Sequence, residues 1–198
     1  MRVIGGAARG RRLFAPKGSV TRPTADRVRE SVFNVLAHGA PQFDFAGAAV
    51  LDVFAGAGAL GIEALSRGAQ RATFIDRDRE AIQCIRRNLG ALGRIDDAFV
   101  LQLDAAKIAR PPGQAAAPFG LAFLDPPYGQ NLAGPTLARL NAHGWLAPGA
   151  IAVVELGADE VLTAPAGFDL LDERRYGVQR VLVFRLRERV EQSAARAS

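Results

Sequence analysis

The sequence is poor in the residues that build disulfide frameworks and common metal sites. Cys84 is the only cysteine, and the two histidines, His38 and His143, lie far apart in the chain. A single cysteine cannot form an internal disulfide, and two distant histidines match no metal-ligand spacing. We therefore expect neither a disulfide-stabilised fold nor a bound metal ion.

Long apolar runs are also lacking. No stretch approaches the roughly 20 apolar residues of a membrane-spanning helix, and the N-terminal residues carry arginines without the apolar segment of a signal peptide. The 198 residues suit one α/β domain with a small appendage. We expect a monomeric cytoplasmic protein without membrane contact.

Positive charge is concentrated at the N-terminal end. The formal net charge is +5, and residues 1–30 hold eight arginines and lysines against two acidic residues, so the remaining residues sum to −1. Such a basic segment is typical of an arm that binds phosphates. Arginines scattered over solvated faces would not place the whole excess at one end. We predict RNA contacts for four arm residues: Arg9, Arg11, Arg12 and Arg27.

The hydrophobic pattern changes after Pro41. Residues 2–16 resemble a short β-element, and a helix with Pro23 in its first turn follows and ends near His38. Beyond Pro41, segments of strand character alternate with helical segments. The predicted organisation has three parts: a basic N-terminal extension (1–40) packed on the core, a main domain (41–188) and a frayed tail (189–198).

The alternation in the main domain predicts a parallel sheet covered by helices on both faces. The last two strands are joined around Tyr176 and Gly177 without an intervening helix. We therefore expect an antiparallel hairpin at one edge of the sheet.

Four aspartates stand at the ends of four predicted strands. In an open α/β sheet, ligands bind outside the carboxyl ends of the strands. One aspartate in such a place is often a helix N-cap, but four in succession favour a polar ligand. The four are Asp52, Asp76, Asp104 and Asp125.

A glycine-rich loop, FAGAGALG, follows the first of these strands. Gly56, Gly58 and Gly61 fit the pattern G-x-G-x-x-G, and Asp76 lies twenty residues after Gly56, where an acid can hold a ribose. The pattern suits a dinucleotide and S-adenosylmethionine (SAM) equally well. Asp52, just before the loop, would repel a pyrophosphate but suits an ammonium group, and this favours SAM.

The stretch LAFLDPPYGQ ends the fourth strand with an unusual set of groups. Pro126 and Pro127 have a fixed φ and no N–H, so rigid carbonyl acceptors stand beside the carboxylate of Asp125. Tyr128 adds a flat face. A planar base with an amino group would fit this arrangement. Taken alone, an ordinary Pro-Pro turn with an exposed tyrosine fits equally well.

The segments LDVFAGAGALGIEALSRGA and DPPY resemble the class I SAM-dependent methyltransferases that act on exocyclic amines. With VIGGAARGRRL and RPTADRVRESVFNVL in front, the chain resembles the bacterial 16S ribosomal RNA guanine-N2 methyltransferase family called RsmD, from Arg2 to about Leu186. The resemblance implies a Rossmann-like, seven-stranded, mostly parallel sheet with a reversed last strand. It also implies methylation of 16S rRNA in an assembled or assembling 30S particle. Arg22 and Thr24 are then predicted to bind the RNA, facing the active site.

The resulting mechanism assigns the target amine to the DPPY segment. Its two hydrogens would bond to the carboxylate of Asp125 and the carbonyl of Pro126, Pro127 would stiffen the turn, and Tyr128 would stack on an unpaired base. The predicted cofactor-binding residues are Asp52, Phe54, Ala55, Gly56, Gly58, Asp76, Asp104 and Ala105.

Three other functions are compatible with parts of the sequence. A DNA or RNA adenine-N6 methyltransferase would use the same loop and DPPY segment, although the chain leaves no room for a separate target-recognition domain. A nicotinamide-dependent oxidoreductase would use the same glycines. A non-catalytic RNA-binding assembly factor would tolerate the loss of Asp125.

Overall fold

The computed structural model describes residues 1–16, 23–113, 115 and 117–188, without the side chains of residues 23–25. The predicted tail and Arg22 thus lie outside the described residues. The helices are α1 (Pro23–His38), α2 (Ala59–Ser66), α3 (Arg79–Ala91) and α4 (Ala133–Ala142). The strands are β1 (Ala49–Val53), β2 (Arg71–Asp76), β3 (Ala98–Gln102), β4 (Phe119–Leu124), β5 (Leu146–Gly157), β6 (Phe168–Tyr176) and β7 (Gln179–Leu186).

The strands form one seven-stranded sheet in the order β3-β2-β1-β4-β5-β7-β6. Strands β1 to β5 pair in parallel, and β7 runs antiparallel to both β5 and β6. This confirms the predicted class I methyltransferase fold with its reversed last strand. The hairpin forms as expected, but β7 inserts between β5 and β6, so β6 is the edge strand on that side of the sheet. The burial explains this order, because β7 has four consecutive buried residues at 181–184 and β6 is mostly exposed.

Two hydrophobic clusters cover the two faces of the sheet. The first contains Phe33 of α1, Phe74 of β2 and Phe123 of β4, packed with α2 and α3. The second contains Phe119 and Trp145, packed with α4. Because both faces are covered, the central strands are continuous apolar runs rather than alternating ones.

The N-terminal extension is held against α2 by a buried carboxylate. Residues 2–16 contain one antiparallel bridge, between Arg2 and Arg12, rather than a longer β-element. Glu63 of α2 is fully buried and accepts hydrogen bonds from the backbone N–H groups of Ile4 (2.7 Å) and Gly5 (2.8 Å). This close approach orders the arm, and it supports the proposal that the extension belongs to the same packed unit as the sheet.

Asn88 of α3 connects the extension to the glycine-rich loop. Its Oδ1 accepts from the backbone N–H of Phe14 at 2.7 Å, and its Nδ2 donates to the carbonyl of Ala57 at 2.9 Å. The end of the arm and the loop are therefore fixed through one buried amide.

Candidate active site

The glycine-rich loop between β1 and α2 has an unusual backbone. Phe54, Gly56 and Gly58 have φ values of 61°, 55° and 77°, a left-handed conformation that is costly for a non-glycine residue such as phenylalanine. A Cβ atom on Gly56 would meet no atom within 4 Å, so this glycine faces open space. Gly61 instead lies where α2 touches β2, and its Cβ would come within 2.4 Å of the Phe74 ring. The glycines thus serve two purposes, an open loop and a close helix contact.

Asp76 holds the loop from the end of β2. Its Oδ2 accepts from the N–H of Gly56 and its Oδ1 from the N–H of Asp78, both at 2.8 Å. A carboxylate has about four acceptor sites, so capacity remains for a ligand hydroxyl. The predicted ribose acid therefore also has a structural task.

Asp104 and Ala105 lie at the same edge of the sheet but outside the lining of the cleft described below. The carboxylate of Asp104 accepts from the N–H of Ala106 at 3.0 Å and caps the short helix Ala105–Lys107. These contacts establish the N-cap role that a single strand-end aspartate often has. A role of the two residues in cofactor binding remains a prediction.

Asp52 is almost fully buried within β1. It is 1% exposed, and its Oδ2 accepts from the N–H of Gly61 at 2.8 Å. Burial raises the pKa of Asp52 to about 8, with a smaller contribution from Asp76, while the bond from Gly61 acts in the opposite direction. A cation in the cleft beside Asp52 would stabilise its charged form.

We predict that Asp52→Asn stabilises the protein at high pH. Because the folded-state pKa lies above the ordinary value of 3.8, the free energy of unfolding decreases as the pH rises toward about 8 and then levels off. Asparagine keeps an oxygen for Gly61 without the buried charge, so the gain should be about 1–3 kcal/mol at pH 9 and close to zero near pH 4. Urea unfolding at both pH values measures it, and equal stabilities at pH 9 would contradict the buried charge.

The DPPY segment forms one wall of the cleft. Asp125 is open to the cleft, Pro126 is buried, and Pro127 and Tyr128 are exposed. The pKa of Asp125 lies well above its ordinary value. Protein atoms crowd the carboxyl group and reduce its hydration, although the residue as a whole is exposed at the cleft, and the carboxylates of Glu155 and Asp52 repel its charge.

The sequence did not single out two residues of this wall, Glu155 and Gln179. Glu155 of β5 accepts at Oε1 from the hydroxyl of Tyr128 at 2.7 Å and from Nε2 of Gln179 of β7 at 2.6 Å. Burial and the bond to Glu155 raise the pKa of Tyr128, so its hydroxyl stays protonated as a donor. The available signal for Glu155 was a carboxylate late in an apolar strand, the same feature that singled out the four aspartates.

Two adjoining cavities, of about 280 and 440 Å³, form the cleft. Both are lined by Phe54, Asp125, Glu155 and Gln179. The first extends to the glycine-rich loop and α1, and its further lining includes Asp52, Ala55, Gly56, Val28, Arg29 and Val32. The second extends along the DPPY segment to β2, and its further lining is Asp76, Arg77, Pro126, Pro127 and Tyr128. Most of the predicted cofactor and target residues thus meet in one cleft, although Gly58 does not line it.

The predicted RNA-binding arginines lie in two parts of the N-terminal extension, its first 16 residues and helix α1. Arg9, Arg11, Arg12 and Arg27 are all exposed, and none forms an ion pair within residues 1–16 and 23–113. Arg9 and Arg27 line one shared groove with Arg2. Arg22 and the side chain of Thr24 lie outside the described residues.

Comparisons with known proteins agree with this arrangement. The family model described as Conserved hypothetical protein 95 matches residues 1–185. The ribosomal RNA small subunit methyltransferase D of Escherichia coli K12 is 39% identical over 198 residues, which is 100% of this chain and 94% of the relative. YlbH of Bacillus subtilis, a candidate rRNA methyltransferase, is 39% identical over 94% of this chain and 100% of the relative. The solved structure of YhhF, a candidate methyltransferase from Escherichia coli, matches with a TM-score of 0.81 and 39% identity, covering 95% of this chain and 98% of that one.

Proposed function

The chain belongs to the family described as Conserved hypothetical protein 95, the RsmD family that its motifs resemble, and from this premise we propose its reaction. The protein transfers a methyl group from SAM to the exocyclic N2 amine of a guanine in the 16S rRNA of the small ribosomal subunit. The relative from Escherichia coli, which is named a small subunit rRNA methyltransferase, supports the substrate class.

The observation that carries the proposal is the acidity of the cleft. Its lining contains four carboxylates, those of Asp52, Asp76, Asp125 and Glu155, against two guanidinium groups, those of Arg29 and Arg77. Arg29 is already paired with Asp26 at 3.0 Å. Carboxylates favour a ligand with positive charge, such as the sulfonium and ammonium groups of SAM, and disfavour the pyrophosphate of a dinucleotide. The negative charge of these carboxylates also argues against a nicotinamide-dependent oxidoreductase. The glycine pattern by itself does not distinguish that function from a methyltransferase.

The residues present fit SAM in kind and position. The open backbone at Gly56 admits the ligand close to the loop, Asp52 suits its ammonium group, and Asp76 has acceptor sites left for the ribose hydroxyls. When bound, SAM supplies an electrophilic methyl group. We keep Phe54, Ala55 and Gly58 in the proposed cofactor set as loop residues.

The DPPY segment prepares the amine. The lone pair of a guanine amino group is delocalised into the ring, which makes the nitrogen a poor nucleophile. Hydrogen bonds from its two hydrogens to the carboxylate of Asp125 and the carbonyl of Pro126 favour a tetrahedral nitrogen, and holding the reactants in line adds an entropic advantage. Asp125 or water accepts the proton that the methylated amine then loses. Tyr128, 43% exposed, offers a stacking face to a base that has left its helix.

A methylation assay tests the proposal directly. Purified protein and SAM are incubated with unmodified 16S rRNA, with 30S particles that contain it, and with duplex DNA, and the nucleosides are then analysed by mass spectrometry. We expect N2-methylguanosine in RNA, with the 30S particle as the better substrate. N6-methyladenosine, or no product on any RNA, would contradict the proposed reaction.

The arm makes a separate prediction. Replacing Arg9, Arg11 and Arg12 together with glutamine should weaken RNA binding and leave SAM affinity intact. Each lost phosphate contact reduces the magnitude of the log–log salt slope by about 0.7 on single-stranded RNA, so three contacts change it by roughly 2. Filter binding at several salt concentrations measures the slope.

A matched triple variant controls for net charge. Arg71, Arg86 and Arg139 are exposed outside the arm and form no ion pairs within residues 23–113, 115 and 117–188. Glutamine at these three positions should leave the slope nearly unchanged. Equal slopes for the arm variant and the wild type would show that the arm arginines do not contact RNA.

A further inference from the structure

Glu155 stands beside Asp125 at the carboxyl edge of the sheet. Leu124 of β4 pairs with Val154 of β5, so the next residues, Asp125 and Glu155, occupy adjacent positions where β4 ends and β5 continues to Gly157. Neighbouring strands lie about 4.8 Å apart, and side chains at matching positions project from the same face. Both side chains line both cavities of the cleft. A base whose amine reaches Asp125 therefore brings its neighbouring ring atoms to Glu155.

The carboxylate of Glu155 is fixed on one side only. The hydroxyl of Tyr128 and the amide of Gln179 both donate to Oε1. Oε2 has no hydrogen-bond partner in the described parts of the chain. Two donors thus orient the carboxylate, and one oxygen stays available to a ligand in the cleft.

The atom next to the target amine distinguishes guanine from adenine. In guanine, the ring nitrogen N1 beside the N2 amine carries a hydrogen and is a donor. In adenine, the ring nitrogen N1 beside the N6 amine has a lone pair and is an acceptor. An ionised carboxylate only accepts hydrogen bonds, so it attracts the first pattern and repels the second.

We propose that Glu155 is a specificity-determining residue that accepts the N1–H of the target base and thereby selects guanine over adenine. This inference rests on the proposed function and assigns a residue to its choice of base. The DPPY segment serves any exocyclic amine, whereas Glu155 reads the atom beside that amine. Tyr128 and Gln179 position the carboxylate for this contact.

The electrostatics of the pair favour protonation in the empty cleft, and a base rich in hydrogen-bond donors shifts both groups toward their ionised forms. Two adjacent carboxylates repel each other, and the pKa values of Asp125 and Glu155 are both raised, first by burial. A guanine presents three hydrogens to them, two from its amine and one from N1. Adenine presents only two and adds a lone pair, so it leaves more of the repulsion uncompensated.

The test reverses the hydrogen-bonding character of both partners: the acceptor on the protein becomes a donor, and the donor on the base becomes an acceptor. The modified guanosine is first located by mass spectrometry in 16S rRNA treated with wild-type protein. Ligated 16S rRNA then carries either guanosine or 2-aminopurine riboside at that position, and 30S particles are reconstituted from each. 2-Aminopurine keeps the amine but has an acceptor at N1, and the glutamine of Glu155→Gln can donate to it.

We expect wild-type protein to prefer guanine by about 10–150-fold in kcat/KM, and Glu155→Gln to lower this ratio at least 10-fold, mainly by losing activity on guanine. The missing O6 of 2-aminopurine affects both proteins alike, so the change in ratio isolates the contact with N1. An unchanged ratio would overturn the inference while leaving the proposed function intact. No methylation of either particle by wild-type protein would instead overturn the proposed function.

Tyr128→Phe separates recognition from positioning. This variant keeps the stacking ring but removes the hydroxyl that donates to Glu155. If Glu155 served only to hold Tyr128, each variant would lower activity on guanine and on 2-aminopurine by the same factor, and the base preference would not change. A change in base preference with Glu155→Gln that clearly exceeds the change with Tyr128→Phe supports the direct contact.

Discussion

Asp125→Ala is expected to lower the rate of methyl transfer by about 10²–10³-fold, the cost of removing one oriented acceptor at a reacting centre. The affinity for SAM should change little, since the proposed cofactor contacts come from the glycine-rich loop and the end of β2. Single-turnover kinetics with the 30S substrate measure the rate, and calorimetry measures the cofactor affinity.

Two further variants make the first result specific. Asp125→Asn keeps the size and one carbonyl oxygen but loses the charge, so its rate should fall between those of wild type and Asp125→Ala. Asp159 is an exposed aspartate just beyond β5, and Asp159→Ala should have no effect. Near wild-type turnover in Asp125→Ala would remove Asp125 from the chemistry.

The raised pKa of Asp125 adds a pH dependence. Only the ionised carboxylate accepts hydrogen bonds with both oxygens, and burial together with Glu155 shifts its pKa upward. The acid limb of kcat/KM for wild-type protein should therefore lie above the ordinary aspartate range. Asp125→Asn should lose the part of this limb that Asp125 contributes, while Glu155, whose pKa is also raised, keeps its own part.

Asp76→Ala is the second change with a large expected effect, here on cofactor binding. Loss of hydrogen bonds to a charged acceptor costs about 1.5–3 kcal/mol, which corresponds to about 10–150-fold in the dissociation constant of SAM. We expect the upper end of this range, because Asp76 also accepts from the N–H of Gly56 and so orders the loop in addition to any ribose contact. RNA binding should be retained.

Matched variants separate the ribose contact from the order of the loop. Asp76→Asn keeps one oxygen for a backbone N–H and should lose less affinity than alanine. Asp78 is the N-cap of α3, and its carboxylate accepts from the backbone N–H of Glu80 at 2.9 Å. Asp78→Ala should therefore cost about 1 kcal/mol of stability with little change in SAM affinity. An unchanged SAM affinity in Asp76→Ala would leave Asp76 with a structural role alone.

Several features of the protein were determined by the sequence itself. The alternation of strands and helices, with a final pair of strands lacking a helix, predicted the mixed sheet because local hydrophobic period and turn residues decide these elements. The sequence also predicted a rigid turn at the DPPY segment, because two prolines restrict their own backbone whatever surrounds them.

The sequence could not predict which of the strand-end acidic residues face the cleft and which cap a helix. Asp104 and Asp125 look alike as strand-end aspartates, yet the first caps a short helix and the second opens into the cleft. The difference arises from the order of the strands, since β3 lies at the edge of the sheet and β4 at its centre. Strand order is a consequence of packing between distant segments, and it is not encoded in the neighbours of either aspartate.

Glu155 shows most clearly what only the tertiary structure decided. Its own neighbours mark it as one polar residue in an apolar strand, and Asp125 lies thirty positions earlier in the chain. Pairing of β4 with β5 places the two carboxylates side by side, and insertion of β7 next to β5 brings Gln179 to the same oxygen as Tyr128. The sequence determined the DPPY segment and its rigid backbone, because two adjacent prolines act locally. The structure determined which groups surround Asp125, because those groups meet only when distant strands pair and bury their apolar faces together.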